Sequence, residues 1–204
     1  MGKPEIVCAD AFDWLPEHPD CGAIITSLPD AIELGFDLAE WRRWFTEAAR
    51  LCMIAASENA PVIFYQTDRK HRGRLSSKAE LLFVAGLAAS AYCLWHKIVL
   101  RRAPGKIDIH RPGFSHLIAF SRGARPGKAS ADTIQRGRMI HPNAFGLVPA
   151  RFSVEFCEIG LPIVDPFCGR GTIPALAAAM GRVAIGVDID PTECARARRL
   201  SFDA

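Results

Sequence analysis

Leu161 to Ala197 reads LPIVDPFCGRGTIPALAAAMGRVAIGVDIDPTECARA, and the rest of the chain is organised around this stretch. Ile163 and Val164 form a short apolar run that predicts a buried strand, stopped by Asp165-Pro166 before the turn Phe167-Cys168-Gly169-Arg170-Gly171-Thr172. A helix is predicted from Ile173 to Met180. Its alanines are strong helix formers, Pro174 lies in the first turn where a missing N–H costs nothing, and Gly181 suits the residue just past the C-terminus. Val183 to Val187 predicts a second strand, ending in Asp188. A strand, glycine turn, helix and strand, with an acid about twenty residues beyond the turn, is the layout that holds a nucleoside. The glycines let backbone approach the ligand, the helix N-terminus offers free N–H groups, and the acid accepts from ribose hydroxyls. A dinucleotide fingerprint would be G-x-G-x-x-G, whereas here an acid precedes the turn and the spacing is D-P-F-x-G-x-G-T.

With 204 residues and 50% hydrophobic content, the chain can bury a real core and is expected to form one domain. It has no apolar run of about eighteen residues and no signal-peptide core after Met1, and position 6 is Ile6 rather than the Ser or Thr of a myristoylation signal. A cytoplasmic protein without a membrane partner is expected. Seven cysteines, an odd number without a C-x-x-C pair, fit reduced thiols better than a disulfide frame or a zinc site, so no metal is expected.

The net charge of +3 hides an asymmetry. Residues 1–60 carry four Lys/Arg against eleven Asp/Glu, a net −7, residues 61–140 carry fifteen against four, a net +11, and the remainder has −1. The middle segment is where a polyanion would bind. Its basic residues gather at Arg69, Lys70, Arg72 and Arg74, at Arg101, Arg102, Lys106 and Arg111, at Arg125 and Lys128, and at Arg136 and Arg138. Solvated loops also collect charge, but several clusters between apolar strands favour nucleic acid.

In chain order, strands are predicted at Glu5–Cys8 and Ala23–Thr26, at Val62–Thr67, at Tyr92–Arg102 and at Phe114–Ser121. Helices are predicted at Leu38–Ser57, Leu75–Ala91 and Pro149–Ile159, and Arg122–Ala144 as a loop, with Trp14 and Trp41 in the core. Alternating helices and strands imply an α/β sheet, mostly parallel, with helices on both faces and an antiparallel edge from the return of Tyr92–Arg102 to Phe114–Ser121.

These parts, in this order, resemble the circularly permuted beta group of S-adenosylmethionine-dependent DNA amino-methyltransferases, over nearly the whole chain. The D-P-F-x-G-x-G-T turn matches the family's motif I. Members begin with a strand and an acid, as in CADAFDWL, and a strand into (D/N/S)-P-P-(Y/F/W), for which this chain has AIITSLPD. A W-x-K strand (LWHKIVL), an F-S-K-like triplet (HLIAFSRG) and the linker His141-Pro142 follow. The resemblance implies a Rossmann-like sheet in permuted order: a catalytic half over 1–121, a basic linker over 122–145 and a cofactor half over 146–204.

It further implies S-adenosyl-L-methionine as cofactor. Asp165, Phe167, Cys168, Gly169, Gly171 and Thr172 would form the methionine-side loop, Asp188 with Ile189 the ribose site, and Asp10 with Ala11 the adenine site. A nucleophilic role for Cys168 is not expected. Ser27 and the Leu28 carbonyl would accept from the target amine, with Pro29 in register. Asp30 replaces the aromatic residue that stacks on the flipped base, which forfeits about 1–3 kcal/mol of base binding. Asp30 would then bind another base edge or act as a base, with Phe36 or a loop residue supplying the stacking. Little room is left between Ser121 and His141 for a sequence-reading region, which favours RNA over DNA as substrate. An inactive binding module and a small-molecule methyltransferase are the rivals, and a homodimer is possible.

Overall fold

The computed structural model describes residues 2–71, 74–103, 105–107, 111–123, 129–142 and 144–202. Its centre is an eight-stranded sheet in the order β1 (Glu5–Cys8), β10 (Ala184–Asp188), β9 (Ile163–Asp165), β2 (Ala23–Thr26), β3 (Val62–Gln66), β7 (Phe114–Ser121), β6 (Tyr92–Leu100) and β8 (Thr133–Gln135). From β1 to β3 every pairing is parallel, β7 runs antiparallel to both β3 and β6, and β8 adds a parallel edge to β6.

β2 and β3 are apolar along almost their whole length, as parallel strands covered on both faces must be, and each is buried throughout. Alternate side chains go to opposite faces. Ile24, Val62, Phe64, Ile118 and Phe120 meet helices α1 (Ala11–Glu17), α3 (Leu38–Ala55) and α4 (Lys78–Ala88). Ile25, Ile63, Leu117 and Ala119 meet α5 (Leu147–Phe156) and α6 (Thr172–Ala179) on the other side. A short α2 (Ala31–Leu34) follows β2, and α7 (Pro191–Ala197) seats Cys194 and Ala197 against Ile6 and Cys168.

Three segments differ from expectation for local reasons. The basic stretch after β3 forms a separate hairpin, β4 (Arg69–His71) with β5 (Arg74–Ser76), and α4 starts only at Lys78 because Ser77 Oγ caps it by accepting from Glu80 N. The stretch predicted as loop from 122 to 144 contains β8, since the buried Lys97 ammonium donates to the Ser130 and Ala131 carbonyls and holds that chain beside β6. The helix α7 follows from Asp190, which accepts from Thr192 N, with Pro191 in its first turn.

The glycine turn sits between β9 and α6, with Gly169 at φ 50° and Gly171 at φ 79°, both in the left-handed region. A Cβ on Gly171 would stand 2.8 Å from the Ala197 Cβ, whereas the space beside Gly169 is open for 4 Å. Gly171→Ala should therefore lower the unfolding free energy by about 2–3 kcal/mol and Gly169→Ala by only about 1 kcal/mol. Urea denaturation of both variants checks this, and equal losses would show that the contact with α7 contributes nothing.

Candidate active site

The chain leaves β9 through α6 toward β10 and leaves β2 through α3 toward β3, so the connections diverge between these two neighbouring strands. A crevice opens at the carboxyl ends of strands at such a switch point. Here it is a cleft of about 790 Å³. Asp10, Ala11, Ser27, Leu28, Pro29 and Asp30 line it from the first half of the chain, and Asp165, Phe167, Cys168, Gly169, Thr172, Asp188 and Ile189 from the last part. Of the predicted loop residues, Gly171 alone is not in the cleft wall, being turned toward Ala197.

At one end the glycine turn is tied to the neighbouring strand: Gly169 N donates to Asp188 Oδ2 at 2.7 Å, and Asp190 N donates to Asp188 Oδ1 at 2.9 Å. Asp165 is 5% exposed and accepts from Thr26 Oγ1 at 2.7 Å and from Phe167 N at 3.2 Å. Burial pushes its carboxyl pKa up to about 7, with the Thr26 and Phe167 hydrogen bonds opposing and Asp188 adding to the rise. Asp10 caps α1, its Oδ1 accepting from Phe12 N at 2.8 Å, as it lines the cleft. The Cys168 thiol is pushed up by burial and by Asp165 and Asp188, which leaves it protonated and unsuited to nucleophilic attack. Trp44, on α3, lines this end among Phe12, Phe36 and Phe167, at 5.6, 6.4 and 5.7 Å between ring centres.

At the other end, Trp41 Nε1 donates to Pro29 O at 3.1 Å, so this core tryptophan also fixes the Ser27–Asp30 segment. Asp30 lines the cleft, and its carboxylate is held by two cations. Its Oδ2 accepts from Arg69 Nε at 2.5 Å, its Oδ1 meets the Lys78 ammonium, and its backbone N donates to Glu33. With a cation on each oxygen, the carboxylate anchors β4 and α4 to the segment. Lys78 is 4% exposed, lines the cleft and also donates to Gln66 Oε1 at 3.1 Å. Burial lowers its pKa against the opposing pull of Asp30. Behind it, Asp68 accepts from Lys78 N and pairs with His116, and these bonds with Ala79 N outweigh burial and hold the Asp68 carboxyl below its ordinary value.

The predicted basic residues divide. Arg101, Arg111 and Arg136 line the cleft, Arg69 is held by Asp30, and Arg74, Arg102, Lys106 and Arg138 are exposed outside its wall. Arg72, Arg125 and Lys128, and the side chain of Lys70, lie outside the described residues. The linker His141 faces Thr172, with 3.4 Å between Nε2 and Oγ1. Sequence reasoning missed Lys78, Gln66 and Trp44; only Trp44, three residues from Trp41 on the same helix, left a periodicity signal. Among the described residues no group of three His, Cys, Asp or Glu is placed to hold a metal ion, and no helix is long and apolar enough to cross a membrane.

No protein-family model matches this chain. No curated protein matches it. Solved structures do. PvuII DNA methyltransferase, described as cytosine-N4-specific, superposes with a TM-score of 0.78 at 14% identity, over 100% of this chain and 89% of that one. A Thermus thermophilus protein complexed with S-adenosyl-L-methionine gives 0.73 at 18% identity, over 95% and 91%. The M1.HpyAVI–SAM complex gives 0.71 at 15%, over 96% and 97%. The chain has their fold. The mostly parallel sheet with an antiparallel strand toward one end is thus the Rossmann-like sheet that these solved structures share.

The raised Asp165 pKa has a measurable consequence. Folded protein keeps this proton to about pH 7, whereas the unfolded chain releases it near the ordinary value of 3.8, so the group's contribution to stability falls as pH climbs through that window and is level above it. Relative to wild type, Asp165→Asn should gain up to about 4 kcal/mol in unfolding free energy between the two limits. Chemical denaturation across pH checks it, and a pH-independent difference would show that Asp165 is ionised in the fold.

Proposed function

We propose that this chain is an S-adenosyl-L-methionine-dependent methyltransferase that acts on an exocyclic amine nitrogen of a nucleic-acid base. The carrying observation is that one cleft joins the glycine turn and Asp188 to the Ser27-Leu28-Pro29 segment. The open space beside Gly169, in the cleft wall, suits a ligand laid against the loop backbone. When bound, the cofactor would supply a methyl group on a sulfonium, a leaving arrangement that needs no covalent enzyme intermediate.

The chain's own groups supply alignment. Asp188 has lone pairs beyond those given to Gly169 and Asp190 and would accept from ribose hydroxyls. Asp165 would meet the amino-acid end together with Phe167, Cys168 and Thr172, and Asp10 with Ala11 the adenine ring, flanked by Ile189. Ser27 Oγ and the Leu28 carbonyl would accept from the target amine, turning its lone pair toward the methyl group; such alignment is worth several kcal/mol of barrier. Phe36, in the cleft wall, would offer the base an aromatic face. Arg101, Arg111 and Arg136, at the cleft, would hold phosphates, with the permuted halves 1–121 and 146–204 providing the substrate and cofactor sides.

Two solved neighbours are described as DNA enzymes or complexed with this cofactor, and on that support we place DNA ahead of the RNA that the short linker favours. Label from methyl-labelled S-adenosylmethionine should enter single-stranded DNA more than RNA, and calorimetry should show Asp188→Ala binding the cofactor at least about 10-fold more weakly, the scale of one charge-assisted hydrogen bond. Unchanged affinity in that variant would remove Asp188 from the site, and label only in a small molecule would replace the substrate class.

A further inference from the structure

The proposed reading leaves the base unnamed, and the donors at the substrate end of the cleft narrow it. Gln66 ends β3, is 1% exposed and lines the cleft. Thr26 pairs with Phe64, so Gln66 ends its strand one sheet spacing, about 4.8 Å, from the Ser27-Leu28 segment. Its amide orientation follows from chemistry. An ammonium only donates, so the atom 3.1 Å from Lys78 Nζ is the carbonyl oxygen, and the NH2 group faces away from the lysine. That Nε2 is buried with no hydrogen-bond partner. The Lys78 ammonium, in the same cleft wall, meets Asp30 Oδ1 and Gln66 Oε1 and lies 5.8 Å from the centres of the Trp41 and Phe45 rings. An unmet buried donor costs about 1–3 kcal/mol, so Gln66 Nε2, joined through its own Oε1 to the cleft-lining Lys78 ammonium and placed beside the acceptors Ser27 Oγ and Leu28 O, marks a place for a ligand with acceptors.

We propose that Gln66 and Lys78 are the specificity-determining residues, reading the two acceptors next to the reactive amine, and that the target is cytosine, methylated at N4. This rests on the base-methylating function proposed above. Ordered along its pairing edge, cytosine presents the N4 amine, then the N3 acceptor, then the O2 acceptor, which answers two acceptors followed by two donors. Adenine presents N6 and N1 and then a C–H, leaving one donor unmet, and guanine sets its N1–H against a donor beside its amine. Asp30, in place of a stacking aromatic, holds Lys78 in position by charge. In the transfer, the N4 lone pair forms the N–C bond as the methyl–sulfur bond breaks. S-adenosylhomocysteine leaves as the neutral thioether, and one N4 proton passes to solvent.

The test uses the full chain and three single-stranded DNA oligonucleotides of thymine, each carrying one cytosine, one adenine or one guanine. Transfer to cytosine should exceed that to the other two by at least about 100-fold, with N4-methylcytosine identified by mass spectrometry. Gln66→Glu, which keeps shape and turns the donor into an acceptor, should lower kcat/KM on cytosine by about 100-fold and leave cofactor Kd within about twofold. The paired variant Lys78→Met with Asp30→Asn, which avoids a lone buried charge, should show the same pattern. Comparable transfer to adenine or guanine, or full cytosine activity in Gln66→Glu, would overturn this inference alone. Cofactor binding without transfer to any base would overturn the underlying reading and this inference with it.

Discussion

A 2.7 Å hydrogen bond from Thr26 Oγ1 to Asp165 Oδ1 joins β2 to β9 across 139 residues of sequence, at the point where the sheet's connections diverge. Everything at the cleft is referred to this bond. Thr26 immediately precedes Ser27-Leu28-Pro29, and Asp165 immediately precedes the glycine turn, so the pair sets the separation of the two lining segments. Asp165 is buried enough that its carboxyl resists ionisation, and Thr26 and Phe167 N–H are what make the charged form tolerable there. A strand-end acid held this way is rigid, and a rigid frame is what alignment of two reacting groups requires.

The second constraint is electrostatic. Asp30 gathers Arg69 from the hairpin and Lys78 from α4, and Lys78 in turn binds Gln66 at the end of β3. A buried pair of this kind contributes little net stability, because desolvation of both ions offsets their attraction, but removal of one partner costs about 3–5 kcal/mol. Its effect is to fix geometry: segments after β2, after β3 and at the start of α4 share one polar junction. Trp41, through Pro29 O, holds the same segment from the apolar side.

Much of this was legible in the sequence where the physics is local. The turn D-P-F-x-G-x-G-T depends on left-handed glycines and a helix start, both written in adjacent residues, and the structure places Gly169 and Gly171 in that conformation. Strands β2 and β3 showed themselves as apolar runs, and Asp10 as a strand-end acid that also caps α1. What depended on distant partners was not legible. Arg69 belongs to a basic cluster by sequence and to Asp30 by folding. Lys78 looks like an ordinary first-turn lysine of a helix, and only the sheet brings Gln66 and Asp30 to it. Strand β8 has one apolar residue, Ile134, and exists because the Lys97 ammonium fixes the preceding carbonyls.

The proposed cofactor site is the part of the cleft at the glycine turn and the end of β10. Hydrogen exchange with and without saturating S-adenosylhomocysteine tests it without relying on turnover. Amides of residues 165–173 and 188–193 should gain protection together, while those of β6, β7 and β8 remain unchanged. Protection confined to other parts of the chain, or none under saturating ligand, would contradict the account.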